Sequence, residues 1–167
     1  MEYCDEVSIL MESCDKEPSL MTDCHLVPIL MENCDRASIL LESCGTVQIS
    51  MEDCYQVPIL MKDCPVVPIL LENCDIAPIL VTNCHKGPIL MKNCGKAPNL
   101  KKDCYAVPIL MENSDKVPIL IEDFVEVPIS MVNCYQTLVL IKGCDTGMKS
   151  YAVHINKQIE SNIEIIK

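Results

Sequence analysis

Cysteine is the residue of this chain best placed to do chemistry, because thirteen of them recur in 167 residues at ten-residue steps. Cys4, Cys14, Cys24, Cys34, Cys44, Cys54, Cys64, Cys74, Cys84, Cys94 and Cys104 follow one another without a gap. Ser114 and Phe124 then take the slot before Cys134 and Cys144 resume it. Stacked at the strand spacing of about 4.8 Å, the sulfurs would form a single file, open to three uses. As packing groups, free thiols are small, polarizable and suited to a narrow core, and the phenyl ring of Phe124 in the same slot favours this use. As ligands, neighbouring sulfurs would bracket an ion at about the 2.3 Å of a metal–sulfur bond. Two-coordinate thiolate suits Cu(I), whereas zinc wants four ligands. The eleven cysteines from Cys4 to Cys104 are the candidate copper ligands, although no Cys-x-x-Cys pair occurs. As disulfides, stacked residues lie within bonding range, but the odd number of cysteines and their parallel Cβ vectors favour free thiols. His25 and His85 each adjoin a cysteine and, six units apart, are expected as exposed turn residues.

The element that must position these sulfurs is a decapeptide close to Met-Glu-Asn-Cys-Asp-x-Val-Pro-Ile-Leu, repeated fifteen times from Met1 to Ser150 without insertion or loss. So short a unit cannot bury an apolar face alone, so successive copies must stack and share one core. A helix is excluded: ten residues carry an apolar stripe about 80° short of three turns, and a proline stands at the eighth position of ten units, from Pro18 to Pro128. Disorder is excluded by an apolar content of 50%. The expected fold is all-β, a β-solenoid (β-helix) of about fifteen ten-residue coils over 1–150, roughly 70 Å long. Coils of twenty are the alternative; the absence of an evident odd/even alternation favours ten.

Strand parity assigns directions. Positions seven, nine and one, as in Val57, Ile59 and Met61, share one face; positions ten and two, as in Leu60 and Lys62, share the other. Only the first set can face inward without drawing a column of charge into the core. Cysteine at position four is out of phase with it, so a bend must precede it. Position three, Asn or Asp in eleven units, supplies residues that tolerate left-handed backbone. Parity sends the leucines of position ten outward, and Leu60, Leu70, Leu80, Leu90, Leu100, Leu110 and Leu120 would form an apolar strip of the kind that marks a contact surface. A two-fold homodimer is its simplest use. The competing possibility is a kink at position nine that turns the leucines inward.

Net charge is −11 with a pI near 4.6, and glutamate dominates position two, so nucleic acid is not expected as a partner. No apolar run approaches the eighteen residues of a membrane span. Neither Gly-x-Ser-x-Gly, nor a phosphate-cradling glycine loop, nor His-Glu-x-x-His occurs, so no enzyme activity is expected. The first residues carry no basic segment and apolar stretch of a secretory leader, which with free thiols points to a cytoplasmic setting. Short cysteine-bearing coils resemble those of insect antifreeze proteins, and that resemblance would imply an ice-binding face. The flat uncharged row such a face requires is missing, since threonine is scattered and the Glu/Lys column is charged. Pentapeptide-repeat proteins want a small residue where Glu52 stands, so the chain matches neither family.

Residues 151–167 abandon the repeat. Terminal units of solenoids differ in order to cover an open strand edge, so this segment is expected as a short cap, helix preferred. The sequence therefore points to a non-enzymatic structural or interaction rod that self-associates through its leucines. Cu(I) storage along the cysteines is the alternative, and ice binding a more distant one.

Overall fold

A computed structural model of the chain describes residues 4–15, 17–126, 128–142, 153–155 and 162–166, with side-chain surroundings across 5–15, 19–126 and 128–142. Every strand pairs in parallel with one a coil away, and between Ile9 and Lys142 the partners stand twenty residues apart, as in Ile39↔Ile59, Leu40↔Leu60 and Met61↔Val81. The fold is a β-solenoid, with no helix among the described residues, and it makes about seven turns. Fifteen ten-residue coils were expected; two decapeptides make each coil, and the rod is about 34 Å long at strand spacing.

The reason is room. A decapeptide holds one strand, such as Ile59–Lys62, and one bend; its inward row needs an opposing apolar wall, and a ten-residue loop cannot supply one. A second decapeptide, running back on the far side, does. One sheet climbs through Ile9–Glu12, Cys24–Glu32, Thr46–Glu52, Ile69–Glu72, Ile89–Lys92, Ile109–Glu112 and Ile129–Val132, with Cys4–Glu6 also on Cys24–Glu32. The other climbs through Glu17–Thr22, Ala37–Glu42, Ile59–Lys62, Ile79–Thr82, Asn99–Ala106, Ile119–Glu126 and Leu138–Lys142. Asn99 Nδ2 lies 3.7 Å from Met91 Sδ across the gap, which shows how closely the walls meet.

Parity holds. Val57, Ile59, Met61 and Cys54 are at most 2% exposed, and their counterparts in other coils line the same core. Leu60 is 39% exposed, so the leucines do face out and no kink turns them inward. The bend at position three is also as expected: from Ser13 to Asn133, thirteen such residues have φ between 51° and 60°. Asparagines there form a ladder along one corner, with Asn73 Nδ2 donating to Asp53 Oδ1 (3.0 Å), Asn93 to Asn73 (3.0 Å), Asn113 to Asn93 (3.2 Å) and Asn133 to Asn113 (3.1 Å). Proline at position eight precedes the strand and offers only its carbonyl, which accepts the isoleucine N–H of the coil before, as from Ile39 to Pro58 (3.0 Å).

Most of the expected C-terminal cap, 151–167, lies outside the described residues. The two described stretches are strands and not helix: Val153–Ile155 pairs with Ile129–Val132, and Asn162–Ile166 with Leu138–Lys142.

Candidate functional site: the cysteine files and the outer faces

Twenty-residue coils split the cysteines into two files, one at each position-three corner, in place of the single file expected from sequence. Cys14, Cys34, Cys54, Cys74 and Cys94 make one, continued by Ser114 and Cys134. Cys24, Cys44, Cys64, Cys84 and Cys104 make the other, with Phe124 pairing Cys104 in register. Cys4 pairs with Cys24 through the backbone, and Cys144 lies outside the described residues. Phe124 is 3% exposed and packs in the core, as its apolar slot predicted.

From Cys24 to Cys104, and at Cys134, each sulfur meets the carbonyl two residues before it, so the bend that turns the side chain inward also supplies this contact. Cys54 donates to Glu52 O, Cys64 to Lys62 O and Cys104 to Lys102 O, each at 3.3 Å, and Ser114 Oγ does the same to Glu112 O (3.3 Å). Neighbouring thiols in a file also hydrogen-bond. Cys74 bonds Cys54 and Cys94; this lowers Cys54 to about 7 against the opposing cost of burial, lowers Cys94 too, and holds the middle thiol protonated. In the second file the bond to Cys84 draws Cys104 down to about 7, while burial pushes Cys64 up to about 11. One pair departs from the expectation of free thiols: Cys14 and Cys34 form a disulfide across adjacent coils, Cα to Cα 4.6 Å. Among the described residues no three His, Cys, Asp or Glu side chains converge as a metal centre would need.

His25 and His85 are exposed, as expected for turn residues. They share one corner three coils apart, about 14 Å at strand spacing, half the separation that ten-residue coils would give.

Nothing in the sequence reading singled out Asn99 and Lys101, which replace the Ile and Met of two inward positions. Both are buried, at 2% and 0% exposure. Asn99 Nδ2 donates to Ala97 O (2.8 Å), but its Oδ1 and the Lys101 Nζ have no partner. Burial holds the Lys101 amine down to about 7. The legible signal was Asn-Leu-Lys at 99–101, where every comparable triplet from 29 to 121 keeps both inward residues apolar.

The leucine column likewise divides. Leu60, Leu80, Leu100 and Leu120 continue from Leu40 on one face; Leu70, Leu90 and Leu110 occupy the opposite face. On both, leucine and proline line a shallow groove of about 670 Å³. The first groove wall is unbroken leucine from Leu40 to Leu140, and the outward column beside it reads Glu42, Lys62, Thr82, Lys102, Glu122, Lys142. On the second, Ser50 and Ser130 interrupt the leucines, and the accompanying column holds Glu32, Glu52, Glu72, Lys92 and Glu112.

Comparison with known proteins found no matching family, no similar curated protein and no similar solved structure.

Proposed function

We propose that the protein is a non-enzymatic interaction rod that pairs with a second copy of itself through the unbroken leucine face. The observation that carries this is the order of charge beside those leucines. Two copies laid face to face, with the two-fold axis along the strands, run antiparallel and set each column against its own reverse. Glu42 then meets Lys142 of the second copy, Lys62 meets Glu122, and Thr82 meets Lys102, with leucine on leucine throughout. No like charges oppose. The other face, paired the same way, would bring glutamate columns together at a cost.

The face is modest in size. Six coils at about 4.8 Å by a strand of four or five residues at about 3.3 Å each give roughly 400 Å² a side, below the standard interface of about 800 Å² per partner. The expected dimer is therefore weak, with a dissociation constant of micromolar order. Light scattering and sedimentation across a dilution series test it. Dimer that dissociates at micromolar concentration, and is lost in Leu80→Asp but kept in Leu90→Asp, supports the reading. A monomer at high micromolar concentration would refute it.

A second reading, Cu(I) storage, draws on the hydrogen-bonded thiols of Cys54, Cys74 and Cys94, which place sulfurs of successive coils side by side for two-coordinate binding. Copper titration of the reduced protein under a competing chelator tests it, and absence of bound metal removes it. Ice binding gains no comparable support, because both flat faces carry a charged column.

A further inference from the structure

The file that begins at Cys14 holds a disulfide and, next in line, a thiol. Asp35 N–H donates to Cys14 O (3.0 Å), Tyr55 N–H to Cys34 O (2.9 Å), Asp75 N–H to Cys54 O (3.1 Å) and Gly95 N–H to Cys74 O (3.1 Å). The repeated bond fixes one offset between successive coils, so Cys54 stands to Cys34 as Cys34 stands to Cys14. Those two are already bonded with Cα atoms 4.6 Å apart. Cys14 is half-buried in the first coil, while Cys34 and Cys54 are 1% and 2% exposed.

We propose that the Cys14–Cys34 disulfide moves inward along its file by intramolecular thiol–disulfide exchange, becoming Cys34–Cys54 and releasing Cys14. Cys54 loses its proton to water, and the sulfur lone pair attacks Cys34 Sγ. The Cys34–Cys54 bond forms as the Cys14–Cys34 bond breaks. The electron pair leaves on the Cys14 sulfur, which takes a proton from water. One S–S bond is exchanged for another, so no outside oxidant or reductant enters. Attack by Cys74 on Cys54, then by Cys94 on Cys74, repeats the step. Ser114 ends the run, since a hydroxyl cannot form the next bond.

Three features support the first transfer. The nucleophile must be a thiolate, and Cys54 is the acidified thiol next to the bond, through its hydrogen bond to Cys74. The leaving sulfur belongs to the half-exposed residue, where water stabilises its charge. Cys14, Cys34 and Cys54 also occupy equivalent places in successive coils, so the next thiol of the file stands one coil from the bond, as Cys34 does from Cys14.

Disulfide mapping of the intact chain tests this. Protein carrying the disulfide is held at pH 8, alkylated under native conditions with iodoacetamide, digested at Glu and Asp, and analysed by mass spectrometry. The expected result is a Cys34–Cys54 linkage alongside Cys14–Cys34, with alkylated Cys14 matching in amount the sum of Cys34–Cys54 and any linkage further along the file, reached several-fold more slowly at pH 6. Cys14–Cys34 as the sole linkage after a day at pH 8, or no linkage within the file, overturns the proposal. Cys54→Ser copies the buried Ser114 of the same file and should abolish Cys14 alkylation; alkylation unchanged in that variant also overturns it. Should Cys54→Ser fail to fold, Cys74→Ser serves instead: the disulfide should then reach Cys34–Cys54 and go no further, and a disulfide at Cys94 in that variant overturns the proposal. Cys44→Ser, in the other file, should leave the pattern as it is.

Discussion

Lys62 pairs with Glu42 at 2.7 Å across twenty residues, while Glu52, only ten away, stands on the opposite sheet. The same step joins Lys92 to Glu72 at 2.7 Å and Lys142 to Glu122 at 4.0 Å. Charges along the rod therefore interact within two separate columns, one of mixed sign beside the unbroken leucines and one mostly acidic.

The proposed antiparallel register can be tested by charge exchange. Lys62→Glu should weaken the dimer, because it opposes Glu122 of the second copy at two symmetric points. Adding Glu122→Lys to the same chain should restore it. Sedimentation at fixed low ionic strength reads both, and a double variant no tighter than the single one excludes this register.

Lys101 should make stability depend on alkaline pH. Its amine is neutral in the folded core above about 7 and is charged in the unfolded chain up to its ordinary 10.5. Between those values unfolding takes up a proton, so stability rises with pH across that window, and below about 7 the whole penalty stands. At about 1.4 kcal/mol per pH unit, the range amounts to roughly 5 kcal/mol. Lys101→Met, which restores the repeat, should stabilise the protein by several kcal/mol at pH 7 and remove its share of the alkaline rise. Urea unfolding of both proteins at pH 7 and pH 10 measures this; equal slopes with pH would refute it.

Asn93 both holds a left-handed bend and bridges Asn73 to Asn113. Asn93→Ala should cost about 2–3 kcal/mol, combining roughly 1–2 for a left-handed backbone with about 1 for lost hydrogen bonds. Asn93→Gly keeps the backbone unstrained and should cost less. Equal losses in the two variants would mean the ladder, not the bend, dominates.

Ile59→Ala empties a fully enclosed site and should cost about 2–5 kcal/mol. Leu70→Ala, on the half-exposed acidic face, should cost about 1 kcal/mol or less. Chemical denaturation of the two variants checks the assignment of inner and outer positions, and a reversal would contradict it.

Much of this was legible from single residues. Parity placed Val57, Ile59 and Met61 inside and Leu60 outside; the Asn/Asp column located the bend; Phe124 marked the cysteine slot as apolar. The period of the coil was misread because both decapeptides carry nearly the same local instruction, and closure depends on whether a loop encloses enough volume for its inward rows. Traces of the longer period were nonetheless present. The serines that interrupt leucine, Ser50, Ser130 and Ser150, are all separated by multiples of twenty, and from Asn93 to Asn133 position three alternates Asn93, Asp103, Asn113, Asp123, Asn133, although Asp53 and Asn83 break the pattern earlier in the chain. The disulfide and the unpartnered Lys101 depend on neighbours a coil away, which a residue-by-residue reading does not reach.

A coil built from two near-equivalent halves gives the repeat an unusual relation to changes in its own length. Loss or duplication of one decapeptide keeps the hydrogen-bond ladder continuous but carries everything downstream to the other wall, splicing leucine face onto acidic face midway along the rod. A change of two decapeptides leaves both walls in phase. The fold can thus grow or shrink by tens, while a working surface survives only by twenties.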